Sequence, residues 1–274
     1  MKQILLGSML GRFLFHLRDI YKIGISAIYH PADTGMIAND QMATRLVTTL
    51  CQSGKTFVDV GAHIGSIISS VKNHDNSINI IAIEAIPNKV KSLKNKYPDI
   101  TIYDCAVGES EGETTFYINK VESGYSSLIK PVLNDSNKVT EICVPIKRLD
   151  NLMTNINIDV IKIDVEGAEL GVLRGAKTLI SKNRPTIMFE SAPDNEDDAC
   201  NLLGYTKADM HKWLTEQQYE IIIPIRVAHN APGLELSCFL ESHLYPRRTT
   251  NYFAIPSERR LEIRDKARKL LNIK

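Results

Sequence analysis

Apolar positions fall into two alternating spacings along the chain. From Met1 to about Leu50 they recur at helical intervals: Leu5, Met9 and Phe13 share one spacing, and Asp40 precedes a periodic run of Met42, Leu46, Val47 and Leu50. The pattern changes at Thr56. Phe57, Val58 and Val60 make an apolar run too short for a helix, which predicts a buried parallel strand. It ends in Gly61-Ala62, and a helix starting near Ser66 carries Ile67, Ile68 and Val71 on one face. Strand and helix then repeat. Asn79 to Ile83 predicts a second strand ending at Glu84, and Pro87 opens a Lys-rich helix (Lys89 to Lys96) closed by Tyr97-Pro98. Ile100 to Cys105 predicts a third strand.

Between Glu113 and Ile146 two β-branched stretches, Thr114 to Ile118 and Val139 to Ile146, flank Gly124-Tyr125-Ser126-Ser127. They predict two strands and a polar loop inserted before the sheet resumes. Leu149-Asp150 opens a short helix, Ile158 to Val165 is a strongly apolar strand, and a helix follows to about Ser181. Pro185 to Phe189, Tyr219 to Ile225 and Tyr252 to Ile255 complete the strands. Acidic Asp194 to Asp198 predicts a solvated loop or helix start, and Lys207 to Gln217 a helix with Trp213 and Leu214 inside. Leu244 to Thr250 is a polar turn. Ser257 begins a basic helix that Leu261, Leu270 and Leu271 dock on the core.

Composition narrows the class without naming a chemistry. With 274 residues, 43% hydrophobic and 24% charged, the chain has room for one large α/β domain of ordinary globular character. A net charge of +1 gives no argument for nucleic acid as a partner. The five cysteines (51, 105, 143, 200, 238) lack CxxC spacing, so no zinc knuckle or disulfide framework is expected and the setting reads as cytoplasmic. Cys105 and Cys143, in apolar runs, read as buried core thiols. Ile4 to Phe15 is too short for a membrane span, which needs ~20 residues, and no signal-peptide cleavage site follows it. The basic amphipathic helix at the start has two readings: a cap on the core or on a second subunit of a homo-oligomer, or a contact with a membrane surface. There is no internal repeat. The expected organisation is a helical segment at 1–50, one domain at 51–256 and a C-terminal helix at 257–274.

The turn after the first strand carries the first chemical signal. Strand, small-residue turn and helix bring backbone N–H groups up to an anionic ligand group. The dinucleotide pattern GxGxxG is absent, because Ala62-His63 replaces its middle and Asp59 sits just before it. A carboxylate there repels a diphosphate and welcomes an ammonium. S-adenosylmethionine, with an ammonium and no phosphate, suits that charge; the plain alternative is a tight turn without a ligand. Glu84, about 20 residues past the turn, is placed to accept ribose hydroxyls. Asp104 is placed to accept an adenine amine, or else to bond its own backbone in a turn. Asp164 and Glu166 alternate onto one side at the carboxyl end of their strand, the edge where open α/β sheets bind ligands.

Seven segments in order carry a resemblance: FVDVGAHIG at Phe57–Gly65, IAIEAIPN at Ile81–Asn88, AVGESEGETTFYI at Ala106–Ile118, GYSSL at Gly124–Leu128, LDNL at Leu149–Leu152, DVIKIDVEGAELGVLRGA at Asp159–Ala176 and RPTIMFES at Arg184–Ser191. Together they resemble the FkbM family of S-adenosylmethionine-dependent methyltransferases. The resemblance implies a Rossmann-like class I methyltransferase fold, a seven-stranded mostly parallel sheet with helices on both faces and an antiparallel last hairpin. It also implies O-methylation, commonly of hydroxyls on sugars, polyketides or similar natural products. Two departures are an alanine at Ala85 where the family often has proline, and His63 where it often has asparagine.

On this reading Asp59, Gly61, Ala62, His63 and Gly65 hold the methionine end of the cofactor. Glu84 holds the ribose, Asp104 with Ala106 the adenine, and Ala85 is a further cofactor contact. A sugar hydroxyl is poorly nucleophilic, so its methylation benefits from a base and from in-line positioning. Asp164, Glu166 and Glu190 are candidates for that work, with the Tyr125, Ser126 and Ser127 loop over the acceptor and His243 as an alternative base. The three carboxylates carry three readings: a base with a raised pKa, ligands for a divalent ion, or purely structural partners. The cofactor expected is S-adenosylmethionine, with no metal predicted. Two other functions stay open, a catalytically silent cofactor-binding module and a nicotinamide oxidoreductase, the latter disfavoured by the missing third glycine.

Overall fold

The computed structural model describes residues 9–120, 126–128, 139–191 and 203–273. Among them ten strands succeed one another: β1 (Thr56–Val60), β2 (Asn79–Glu84), β3 (Thr101–Asp104), β4 (Ala106–Val107), β5 (Gly112–Asn119), β6 (Val139–Lys147), β7 (Ile158–Ile163), β8 (Thr186–Glu190), β9 (Tyr219–Ile222) and β10 (Asn251–Pro256). Seven form one sheet in the order β3-β2-β1-β7-β8-β10-β9. It is parallel except for β10, which runs antiparallel to both neighbours.

Period-two alternation decides the layering. Val58, Val60, Ile81, Ile83, Ile161 and Ile163 face one layer, with Leu170, Leu173, Ile180 and Leu214 from the helices Glu169–Gly175, Lys177–Asn183 and Lys207–Glu216. Phe57, Ile80, Ala82, Val160, Met188 and Phe253 face the other, against the helices Pro31–Leu50, Ser66–His74 and Arg260–Leu270. Both layers are apolar at the strand centres apart from the buried Asp59 and Lys162, and each large apolar side chain buried there contributes about 1.5–3 kcal/mol.

Several sequence expectations shift in detail. Asp40 does not open a helix; Pro31 does, and Asp40 lies within the Pro31–Leu50 helix. Its carboxylate accepts hydrogen bonds from Thr249 Oγ1 at 2.8 Å, Thr250 N at 3.0 Å and Asn251 N at 3.3 Å, which ties this helix to the start of β10. The third strand stops at Asp104, and Ala106-Val107 leaves to pair with Ile146-Lys147 in a second sheet of order β4-β6-β5. The inserted strands form that sheet's antiparallel pair. The helix after β7 is two helices broken at Ala176, and Asp150 caps the second by accepting from Thr178 N and Leu179 N.

The C-terminal helix docks through Ile263 and Ala267, with Leu270 and Leu271 partly buried beside them and Leu261 exposed. Cys105 is buried as expected, but Cys143 is exposed because β6 belongs to the outer sheet. Asp194 to Asp198 and Cys200 lie outside the described residues.

Candidate active site

The strand order reverses at β1: β2 pairs on one side of it and β7 on the other. Such a switch point opens a crevice at the carboxyl ends of the strands, and a cavity of about 340 Å³ occupies it. Gly61 lets it form. At φ +78° the residue is left-handed, and a Cβ would come within 1.8 Å of the Asp164 carbonyl oxygen. Only glycine lets the turns after β1 and β7 approach this closely.

The turn's backbone corrects one expectation. Gly61 N and Ala62 N both donate to Ile83 O at 3.0 Å, His63 N donates to Glu84 Oε2 at 2.8 Å, and Gly65 N donates to Ala62 O at 2.8 Å. These four N–H groups are engaged within the protein, that of His63 by a carboxylate. Gly61, Ala62 and His63 line the cavity; Gly65 does not. Gly65 is the left-handed cap of the Ser66–His74 helix, packed against Leu93 and Tyr97, and its carbonyl accepts from Tyr97 OH at 3.1 Å. His63 is not a neutral-pH switch. Burial, with Lys89 and Lys162 nearby, lowers its pKa to about 4.

Glu84 ends β2 with a buried carboxylate on the cavity wall. Oε2 takes the His63 N–H and Oε1 takes Ile86 N–H at 2.8 Å, so each oxygen keeps acceptor capacity for a ligand hydroxyl. Burial pushes its pKa up against those two hydrogen bonds. Ala85, Ile86, Ala106, Phe116 and Leu128 make an apolar slot beside it.

Lys162, which the sequence reading passed over, organises the centre. Asp59 and Lys162 are register partners on adjacent parallel strands. Lys162 Nζ lies 3.3 Å from Asp59 Oδ1 and 3.0 Å from Asp164 Oδ2, and donates to Gly61 O at 3.0 Å. Burial disfavours its charge, but the two carboxylates outweigh burial and raise its pKa, so it remains an ammonium. The cation expected opposite Asp59 is therefore already present in the protein. Asp59 is 1% exposed, burial raises its pKa, and its Oδ1 receives no well-directed hydrogen bond. The signal was available: Lys162 is the one cation in the apolar run Ile158–Ile163, and a buried lysine requires a paired carboxylate.

Asp164, Glu166 and Glu190 do converge, with one oxygen from each within 4.8 Å of the others. Alternation is not what brings Glu166 in. β7 ends at Ile163, and Glu166 sits beyond it in a left-handed turn at φ +56°. Glu169 fixes that turn from below, its Oε1 accepting from Val165 N at 3.2 Å and Gly167 N at 3.1 Å, while Tyr205 OH donates to Gly167 O. Burial opposes the charge on Asp164, yet Lys162 and a hydrogen bond from Glu190 hold its carboxyl below the usual range. Glu190 keeps the shared proton: burial and the adjacent Asp164 push its pKa up to about 11. Burial, Asp164 and Glu169 push Glu166 up to about 8. The trio has the spacing and oxygen chemistry for a divalent ion, with the Lys162 ammonium already supplying positive charge beside it.

Other expected site residues are placed elsewhere. Asp104 points away from the cavity, 72% exposed at its side chain and 3.4 Å from Lys94 Nζ; Cys105, Ala106 and Val107 line the wall instead. His243 is no base above the site. It is buried under Phe239 and Tyr252, with Nδ1 2.8 Å from Phe239 O and Nε2 2.8 Å from Ser191 Oγ. Ser126 lines the cavity, and its Oγ accepts from Asn119 N at 3.1 Å. Ser127 lies behind the wall, donating to Glu166 O at 2.9 Å, which makes it a strap on the Glu166 turn. Tyr125 lies outside the described residues. Lys89, Thr44 and Asn251 also line the cavity, and the sequence reading missed all three. Pro87 at the helix start was the available signal for Lys89, since it places that side chain in the first turn beside Glu84.

Comparison with known proteins gives one family. No curated protein matches the chain. Among solved structures it is similar to the FkbM methyltransferase of Methylobacillus flagellatus KT, at 19% identity and TM-score 0.46, over 76% of this chain and 47% of that one. The chain thus spans about half the length of that relative. It is also similar to Aeropyrum pernix fibrillarin with natively bound S-adenosyl-L-methionine (13% identity, TM-score 0.39, covering 79% and 74%). A third is a TehB-like SAM-dependent methyltransferase from Corynebacterium glutamicum (9% identity, TM-score 0.38, covering 78% and 85%). The methyltransferase FkbM domain matches residues 59–221, from the Asp59 turn through β7 and β8 to β9, more than half of the chain. With that match on a class I sheet whose acidic residues meet at the switch point, the chain belongs to the FkbM methyltransferase family.

Proposed function

We propose that this protein transfers a methyl group from S-adenosylmethionine to a hydroxyl of a sugar, a glycan or a glycosylated natural product. The observation that carries the reading is Glu166, a cavity carboxyl with a pKa of about 8, aimed by its own turn rather than by a strand. The donor set fits the cofactor. Glu84 offers one acceptor position per oxygen to a ribose diol, and the Ile86–Phe116–Leu128 slot takes a flat ring. When bound, the cofactor supplies an electrophilic methyl on its sulfonium.

The chain's own residues supply the rest. Glu166 takes the hydroxyl proton as the oxygen–methyl bond forms and the sulfur–methyl bond breaks, leaving a methyl ether and the neutral thioether. Asp164, held ionised by Lys162, raises the proton affinity of Glu166. Glu190, holding the proton it shares with Asp164, leaves Glu166 as the free base of the trio.

Calorimetric titration with S-adenosylmethionine and S-adenosylhomocysteine tests the first half. Formation of S-adenosylhomocysteine with a panel of sugars and glycosides, in wild type and Glu166→Gln, tests the second. Cofactor binding without turnover on any acceptor would support a silent binding module. Absence of cofactor binding would overturn the reading.

A further inference from the structure

Over its described side chains, Leu17 to Tyr29, the helix Met9–Tyr29 presents its large apolar residues outward. Only Asp19, Ile23 and Ser26 of its described side chains turn inward; Gln41 Nε2 donates to Asp19 O at 3.0 Å and Thr34 Oγ1 donates to Ser26 Oγ at 3.2 Å. Leu17, Ile20, Tyr21, Ile25 and Ile28 are all exposed, Ile20 by 55% and Ile28 by 72%. At 3.6 residues per turn these five span an arc of roughly 140°, centred opposite the inward face. Ile23 is the one large apolar side chain of this stretch that turns inward while these five face away, so the helix is built to lie against an apolar partner.

We propose that this helix lies in the plane of an anionic lipid surface, apolar arc inward, as a peripheral anchor. Charge selects that occupant. Lys2, Arg12, Arg18 and Lys22 stand against Asp19 alone in the first 29 residues, a net +3 in a chain whose total is +1. Lys22 and Arg18, the latter ion-paired with Asp19, are exposed on the flank of the apolar arc, where a headgroup layer meets them. A second copy pairing across a two-fold axis would set the same positive patch against itself. Tyr21 and Tyr29, 67% and 68% exposed, suit the boundary between headgroups and acyl chains. Among the described residues no helix is long and apolar enough to cross a membrane, which leaves the in-plane orientation.

Vesicle flotation of the full chain tests this apart from any turnover. Binding is expected to phosphatidylcholine vesicles containing phosphatidylglycerol, about tenfold or more weaker to phosphatidylcholine alone, and weakened by salt. The double variant Ile20→Asp, Ile28→Asp should lose flotation by about tenfold or more. Its melting temperature should stay unchanged, since both side chains are exposed. Arg18→Gln with Lys22→Glu gives a second route, lowering binding to the charged vesicles only. Failure of wild type to float with phosphatidylglycerol, or flotation untouched by the apolar variant, overturns the proposal. So does sedimentation showing a dimer that the apolar variant dissolves while vesicle binding is absent, because a second copy then covers the face.

Discussion

Lys162 and Asp164, two positions apart at the end of β7, share one face of the sheet and are joined by an ion pair of 3.0 Å. Asp59 on β1 completes the arrangement from the neighbouring strand, 3.3 Å away. One buried ammonium thus holds two carboxylates of different strands beside the cavity, and Glu190 and Glu166 titrate in the field of the second.

Removing that ammonium leaves Asp59 buried without its cation and takes the same partner from the part-exposed Asp164. Lys162→Met should cost about 3–5 kcal/mol, the usual penalty for breaking a buried pair from one side. Thermal or urea unfolding at pH 7 checks it. A loss below about 1 kcal/mol would show that Asp59 and Asp164 are not held by this lysine.

Glu166 links rate and stability to pH with opposite signs. As the base it must be ionised, so kcat/KM should climb with pH and level off above about 8. Its folded pKa lies above the unfolded value, so the native state binds more protons between the two, and stability should fall as pH rises from the ordinary glutamate range through about 8. Glu166→Gln should flatten the rate profile, reduce the stability slope to the part that Glu190 and Glu169 keep, and lower turnover by about 10² to 10⁴. A wild-type pH–rate profile retained in that variant would assign the base elsewhere.

The two acidic residues at the ends of β2 and β3 should behave differently. Glu84→Gln should weaken S-adenosylhomocysteine binding by about 1.5–3 kcal/mol, the worth of hydrogen bonds to a charged acceptor. Asp104→Ala should leave that affinity unchanged, because its side chain is 72% exposed and faces Lys94. Calorimetry on both variants decides it. Equal losses would put Asp104 back in the site.

Asp40 fastens the Pro31–Leu50 helix to the residues that open β10, and Asn251 among them lines the cavity. Asp40→Ala leaves Thr249, Thr250 and Asn251 without this acceptor and should cost about 2–3 kcal/mol. Asp40→Asn should recover part of it by keeping one carbonyl. Chemical denaturation of the pair is the measurement, and a stable Asp40→Ala protein would show the clamp to be dispensable.

Gly61 admits no side chain. Gly61→Ala would drive a Cβ into the Asp164 carbonyl and force the left-handed conformation on a non-glycine residue, so a loss of more than about 3 kcal/mol is expected. Expression yield and melting temperature read it directly.

Local signals determined most of the architecture. Short, largely apolar runs fixed β1, β2 and β7, because a strand buried on both faces is apolar wherever no charge partner stands opposite, and Glu84, Asp164 and Glu190 could be placed at the ends of such runs. The class of sheet and the family followed from the order of those segments. What the sequence could not supply was direction and partnership. Asp104 and Glu84 have the same chemistry and are register partners at their strand ends, yet beside the departure of Ala106-Val107 into a second sheet the Asp104 carboxylate lies exposed against Lys94. His243 looks like a loop base until Phe239 and Tyr252 close over it. Lys162 reads as a lone charge in an apolar run, and Asp59 lies 103 positions earlier; parallel pairing of β1 with β7 makes them neighbours. Periodicity reports which side of one element is buried, whereas a charged group in a low-dielectric interior is defined by what stands opposite it. Only the assembled sheet decides that.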